Sequence, residues 1–97
     1  MSGGDWKELL HASEKGNLEL VKYHIKNGID PNYQHPELLT NPLIEATRYG
    51  HLDVVKYLLD NGANISDRAI FGGESPLEVA KIYRHKALVK LLKEYGA

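Results

Sequence analysis

Residues 41–66 read NPLIEATRYGHLDVVKYLLDNGANIS, and the arrangement of this stretch recurs on both sides of it. Each copy is framed by two residues twelve positions apart, glycine in all cases but one: Gly16 and Gly28, Gly50 and Gly62, and Arg84 and Gly96. Each frame begins 34 residues after the preceding one. A fixed period of about this size is typical of stacked-repeat proteins. The sequence therefore predicts three copies of one structural unit, stacked on one another.

Each unit is predicted to contain two short helices and a long extended loop. Asn41-Pro42 and Ser75-Pro76 mark helix starts, because Asn and Ser are good N-caps and proline suits the first helical position. Asp5 is expected to cap the first helix in the same way. The glycines, which tolerate positive φ, end the helices. The pattern predicts helices over residues 6–14, 18–26, 42–49, 52–60, 76–83 and 86–94, with extended loops over 29–40 and 63–74.

One such helix pair cannot bury its apolar face alone, whereas three stacked pairs form a continuous core. In the middle copy the apolar face is predicted to consist of Leu52, Val55, Leu58 and Leu59. Tetratricopeptide repeats share the 34-residue period, but they use two longer helices with short links. The short first helix, which opens with proline, and the long loop argue against that alternative.

The middle copy resembles the ankyrin repeat, whose consensus reads roughly TPLHLAAxxGHLEVVKLLLxxGADVN. The resemblance is weaker in KELLHASEKGNLELVKYHIKNGIDPN (residues 7–32) and SPLEVAKIYRHKALVKLLKEYGA (residues 75–97). It implies an all-α ankyrin-repeat solenoid of three helix–turn–helix units with finger loops, spanning repeats at about 5–38, 39–72 and 73–97. Residues 1–4 are expected to be disordered, and residues 5–97 to form a single domain.

Departures from the consensus carry further expectations. The loops are one residue longer than usual, and Leu38-Leu39 stand where a glycine is common, so irregular fingers are expected. Arg84 replaces a turn glycine, which costs about 1–2 kcal/mol unless the turn changes shape. Lys86 and Lys93 replace Leu52 and Leu59 of the middle copy. This polar face suits a terminal cap, so the chain is expected to be a whole small protein or an autonomous domain.

Composition narrows the classes of function. The net charge is −1, which creates no global attraction to nucleic acid or to an anionic membrane. The chain has no cysteine, which fits a reducing compartment, and no apolar run long enough to span a membrane. We therefore expect a cytoplasmic protein that binds neither nucleic acid nor membrane. The cationic residues near the third helix pair are interpreted as a solvated outer face.

No catalytic, cofactor-binding or metal-binding arrangement is predicted. His51 and His85 occupy the same place in successive units and are expected to brace the turns between helices. His24 is expected to lie on the exposed N-terminal end. Glu45 is either a buried carboxylate or, as we expect, a side chain that tilts outward between units. Nothing resembles a nucleophile–base pair or a phosphate-binding loop. The chain is therefore expected not to be an enzyme.

The resemblance implies that a partner protein binds the concave face, which is built from finger tips and the exposed ends of the first helices. The candidate residues there are Glu14, Lys15, His35, Glu37, Leu38, Thr40, Arg48, Tyr49, Phe71, Glu74, Ile82 and Tyr83. Tyr49 is expected to be exposed, whereas Phe71 either joins the surface or folds back into its finger. The predicted function is non-catalytic protein–protein interaction by a monomer. The alternatives are a homo-oligomeric assembly protein and, more remotely, an enzyme or metal protein.

Overall fold

The computed structural model describes residues 5–34, 36–68 and 73–97. Within these ranges the chain forms helices and loops and no strand, which confirms the all-α prediction. The helices are α1 (Asp5–Lys15), α2 (Leu18–Lys26), α3 (Pro42–Arg48), α4 (Leu52–Asp60), α5 (Pro76–Ile82) and α6 (Lys86–Glu94). The predictions about residues 1–4, His35 and Phe71 lie outside the described residues.

The helix starts follow the predicted capping chemistry at two of the three units. The Asn41 side chain accepts a hydrogen bond from the Ile44 N–H at 2.9 Å. Ser75 and Glu78 form a reciprocal capping box at the start of α5. The prediction for Asp5 was wrong, because Asp5 already belongs to α1.

The ends of α1, α3 and α5 differ from the predictions by one residue, whereas α2, α4 and α6 end where predicted. α1 continues through Lys15, because the chain leaves the helical conformation only at Gly16, where φ is +77°. α3 and α5 end one residue early, and Tyr49 and Tyr83 are their C-caps, with ψ angles of 4° and 5°. These two tyrosines therefore stand at the points where the chain turns away from its helix.

The six helices form two layers. α1, α3 and α5 pack side by side in one layer, and α2, α4 and α6 form the other. The middle unit is covered on both sides, so that Ile44, Val55 and Leu58 are completely buried. Burial of each such side chain contributes about 1.5–3 kcal/mol. The stack is thus held by apolar contacts between neighbouring units as well as between the two helices of each unit.

The buried face of α4 is shifted from the predicted one. Leu52 is 44% exposed, and Val54, Val55 and Leu58 are the buried residues of the helix. Lys86 therefore replaces a residue that is already exposed in the middle unit. Only Lys93, the counterpart of the partly buried Leu59, substitutes a charge at a packed position.

The fingers are irregular where the structure describes them, as predicted. Leu39 adopts a positive φ of +58° and is exposed together with Leu38. Side-chain amides join the first finger to the second: Asn32 Nδ2 donates to the Gly62 carbonyl at 2.9 Å, and Gln34 Nε2 donates to the Arg68 carbonyl at 3.0 Å. Polar side chains here connect the fingers in place of a regular strand ladder.

Arg84 keeps the turn conformation of the glycines that it replaces. Its φ is +58°, against +77° and +79° at Gly16 and Gly50. A non-glycine residue in this left-handed region costs about 1–2 kcal/mol. The alternative, a turn of different shape, is therefore not adopted.

Candidate partner-binding surface

Two histidines hold the C-terminal ends of α1 and α3. His51 Nε2 lies 2.7 Å from the carbonyl oxygen of Glu14, and His85 Nε2 lies 2.8 Å from that of Arg48. A carbonyl oxygen only accepts hydrogen bonds, so Nε2 must carry the proton and donate in both cases. Each imidazole therefore ties the turn of one unit to the last helical turn of the unit before it. The predicted bracing role of both histidines is confirmed.

The imidazole rings lie against the turn glycines. A Cβ atom built on Gly16 would stand 2.5 Å from Nδ1 of His51, and one on Gly50 would stand 2.9 Å from Cε1 of His85. Each glycine is thus needed both for its positive φ and for the space that the ring occupies. The equivalent position in the third unit is Arg84, which has a side chain and a positive φ.

Arg48 connects α3 to α5. Its Nε donates to Glu45 Oε2 at 3.1 Å, and its Nη1 donates to the hydroxyl of Tyr83 at 3.0 Å. The guanidinium carbon lies 5.6 Å from the centre of the Tyr83 ring, within cation–π range. Partial burial acts to lower the pKa of Arg48, but the bonds to Glu45 and Tyr83 outweigh it and raise that pKa. Arg48 is therefore a structural link between units as well as part of the candidate surface.

Glu45 does not tilt outward, and that prediction was wrong. Only 14% of its side chain is exposed, and its carboxylate accepts hydrogen bonds from Arg48 and from the Thr40 hydroxyl at 3.1 Å each. A buried carboxylate needs such partners, because desolvation otherwise penalises its charge. The carboxylate faces two donors: Arg48, one turn further along α3, and Thr40, at the end of the first loop.

Three large side chains are exposed where α3 and α5 end: Tyr49 at 52%, Ile82 at 57% and Tyr83 at 47%. We call these three residues the tyrosine patch. The contact between Arg48 and Tyr83 brings the two helix ends together. Tyr49 is exposed as predicted. Tyr83 is partly committed, since its hydroxyl is bonded to Arg48 and its ring lies 6.4 Å from that of His85 in a stacked arrangement.

The other predicted surface residues are in mixed situations. Lys15, Glu37, Leu38 and Glu74 are exposed. Glu14 is half-buried, and its backbone carbonyl is taken by His51. The Thr40 hydroxyl is taken by Glu45. His35 and Phe71 lie outside the described residues. The prediction that Phe71 either joins the surface or folds back into its finger therefore stays a prediction.

His24 was wrongly predicted to be exposed. It is only 4% exposed, and its Nε2 lies 2.7 Å from Glu8 Oε1. The 34-residue step pairs position 24 with Leu58 and Leu92, which are both buried core residues. That step was the signal that could have placed His24 in the core. His24 is thus a polar residue at a core position, and its imidazole is held by the carboxylate of Glu8 on α1.

No group of three histidine, aspartate or glutamate side chains converges to hold a metal ion anywhere in residues 5–34, 36–68 and 73–97. No helix in the same ranges is long and apolar enough to cross a membrane. What the surface offers is exposed aromatic and aliphatic area beside a fixed guanidinium, which suits contact with another macromolecule.

The family comparison agrees with this geometry. Residues 9–97 match the family model for ankyrin repeats, with three copies. The chain therefore belongs to the ankyrin-repeat family, whose members are generally protein–protein interaction modules and typically non-catalytic. No curated protein matches the sequence.

Proposed function

We propose that this protein is a non-catalytic interaction module that binds a partner protein through its concave face, using the tyrosine patch and the finger loops. The observation that carries the proposal is the exposure of Tyr49, Ile82 and Tyr83 at adjoining helix ends. Tyrosine and arginine are over-represented among residues that dominate binding energy at protein interfaces.

The fixed geometry around the patch supports the proposal. His51 and His85 hold successive helix ends through bonds of 2.7 and 2.8 Å. Arg48 is held by Glu45 and Tyr83. A surface whose side chains are already positioned loses less conformational entropy on binding, and this favours affinity. The Tyr83 hydroxyl is already bonded to Arg48, whereas the Tyr49 ring is exposed beside this framework. Tyr49 is therefore the first residue to substitute in a binding test.

On this proposal the protein acts as a monomer in the cytoplasm. The competing function is self-assembly, in which the tyrosine patch would be covered by a second copy. Sedimentation equilibrium at micromolar concentration distinguishes the two functions. A monomer gives a molecular mass of 10.9 kDa, and a dimer gives twice that mass. A dimer that persists in Tyr49→Ala would also exclude the patch as the self-association surface.

Affinity capture from native cells tests the proposal, provided that matched variants are compared. Wild type, Tyr49→Ala and Tyr23→Ala are used as baits under equal conditions. Tyr23 is the control, since it is an exposed tyrosine on α2, in the other layer of helices. The proposal predicts a protein that is retained by wild type and Tyr23→Ala and is lost from Tyr49→Ala. Equal recovery with all three baits would place the binding surface elsewhere.

A further inference from the structure

A second surface feature lies at the C-terminal end of the stack. Between α5 and α6 there is a hollow of about 310 Å³ lined by Lys81, Arg84, Lys86 and Val89, which we call the terminal hollow. The surface that lines it is mainly apolar, and the three cationic groups stand around it. Its volume is at the low end of the roughly 300–1,000 Å³ typical of ligand pockets.

Arg84, which lines the terminal hollow, stands at the position of a turn glycine in the other two units. The 34-residue step pairs Arg84 with Gly50 and Gly16, which are covered by the imidazoles of His85 and His51. In the third unit an arginine occupies the glycine position, so that its Cβ stands where the two earlier units make room for an imidazole ring. The surface beside Arg84 is therefore chemically different from the histidine contacts of the other units.

The cations around the terminal hollow have no internal counter-charge. Lys81, Arg84 and Lys86 are exposed, as are Lys90 and Lys93 further along α6. Over the described residues, the ion pairs of the molecule involve other groups, so that none of these five cations is neutralised by a carboxylate. The molecule as a whole carries a net charge of −1, and this end is locally positive.

Arg84 adds a second observation. It adopts a φ of +58°, where the same chain uses glycine twice. Backbone strain that is retained at one position directs attention to what the side chain does there. The Arg84 guanidinium makes no hydrogen bond within the described part of the protein, which leaves its five N–H donors available to a ligand.

We propose that the terminal hollow binds an acidic segment of another protein, with an apolar side chain of that segment in the hollow and its carboxylates against Lys81, Arg84 and Lys86. Charge complementarity and the apolar lining together select this occupant. Single-stranded nucleic acid is disfavoured, because no aromatic side chain lines the hollow to stack on a base. The residues that line the hollow are different from those of the tyrosine patch, but Lys81 and Arg84 flank Ile82 and Tyr83 in the chain.

The test is a titration of the full chain with a fluorescent glutamate peptide that carries a single central leucine. Chemical shifts of the amides should change around residues 81–89. Removing one cation by Lys86→Gln or by Arg84→Gly should weaken binding about threefold, as expected for an exposed ion pair. Arg84→Gly relieves the positive φ, so that weaker binding by this variant cannot be attributed to unfolding.

Controls make the outcome specific. Lys56→Gln removes an exposed cation from α4 with the same change in net charge and should leave the affinity unchanged. A peptide with serine in place of leucine should bind more weakly, because it leaves the hollow empty. The proposal is overturned if Lys56→Gln weakens binding as much as Lys86→Gln, or if the shifts are absent or centred elsewhere. Tighter binding to single-stranded DNA or to phosphatidylserine vesicles than to the peptide would also overturn it.

Discussion

The imidazole of His85 lies against Gly50, and a Cβ atom at Gly50 would stand only 2.9 Å from Cε1 of that ring. The same relationship joins His51 to Gly16, with a separation of 2.5 Å from Nδ1. Each histidine also donates to a carbonyl of the preceding unit. The turn glycine of one unit and the histidine of the next unit thus form a single contact, and this contact sets how closely the units stack.

Gly50→Ala is expected to destabilise the protein more than Gly62→Ala. Both positions have positive φ, which costs an alanine about 1–2 kcal/mol, but only Gly50 faces a neighbouring side chain. The new methyl group must displace His85 from its bond to Arg48, and overpacking of this kind adds about 1–3 kcal/mol. Urea denaturation of the two variants measures the difference directly.

The His85→Ala background provides the control for that comparison. Without the ring, Gly50→Ala should cost no more than Gly62→Ala, because only the backbone penalty remains. Equal losses of stability for the two glycines in the presence of His85 would show that the ring moves away without cost.

Arg84→Gly and Leu39→Gly are each expected to stabilise the fold. Both residues have φ of +58°, a conformation that glycine adopts without strain. The relief of about 1–2 kcal/mol is partly offset by the larger entropy of glycine in the unfolded chain, leaving a gain of about 0.5–1 kcal/mol. Thermal unfolding measures the gain, with Arg84→Ala as the control that removes the side chain and keeps the strained backbone. Lower stability of both glycine variants would contradict this expectation.

Glu8→Ala is expected to destabilise the protein through His24. The substitution leaves a buried imidazole without its partner at 2.7 Å. The expected loss is about 1 kcal/mol, at the lower end of the ~1–3 kcal/mol for an unsatisfied buried group, because Glu8 itself is exposed to water. Replacing both partners, by Glu8→Ala with His24→Leu, should recover the stability, since leucine fills the equivalent core positions 58 and 92. Additive losses in the double variant, measured by urea denaturation, would contradict the pairing.

The regular part of this architecture could be predicted from the sequence because it depends on local chemistry. Asn41-Pro42 and Ser75-Pro76 start helices, and the glycines end them, with errors of at most one residue at each described boundary. The roles of His51 and His85 followed from their equivalent positions. These features repeat at each unit, so that one well-formed copy indicates the others.

The misplaced residues depend on contacts between elements. Glu45 is held inward by Thr40 from the preceding loop as well as by Arg48, and His24 on α2 is held by Glu8 on α1. Leu52 is exposed because Val54 and Val55 supply the buried face of α4. The polarity or hydrophobicity of a single residue does not indicate such contacts. For His24, its equivalence with Leu58 and Leu92 in the 34-residue repeat could have indicated a core position.

The pH dependence of stability is expected to involve Glu78. Hydrogen bonds from the Ser75 backbone N–H and hydroxyl, together with the nearby Arg68, hold the pKa of Glu78 below its ordinary value of 4.5. Because the pKa is lower in the folded state, this carboxylate stabilises the fold above pH 4.5, and the contribution is lost as the pH falls through the folded-state pKa. Urea denaturation across this range should show a shallower acid dependence for Glu78→Gln than for wild type. The same acid dependence of stability in Glu78→Gln and wild type would show that Glu78 does not contribute to it.

The central claim is that the tyrosine patch binds a partner protein, and the dissociation constant of a captured partner tests it most directly. Wild type, Tyr49→Ala and the control Tyr23→Ala are compared by calorimetry, with circular dichroism to establish that all three are equally helical. Loss of an interface tyrosine should weaken binding about tenfold or more for Tyr49→Ala, equivalent to ~1.4 kcal/mol or more, and leave Tyr23→Ala unchanged. Unchanged affinity for Tyr49→Ala, or an equal loss for Tyr23→Ala, would contradict the account.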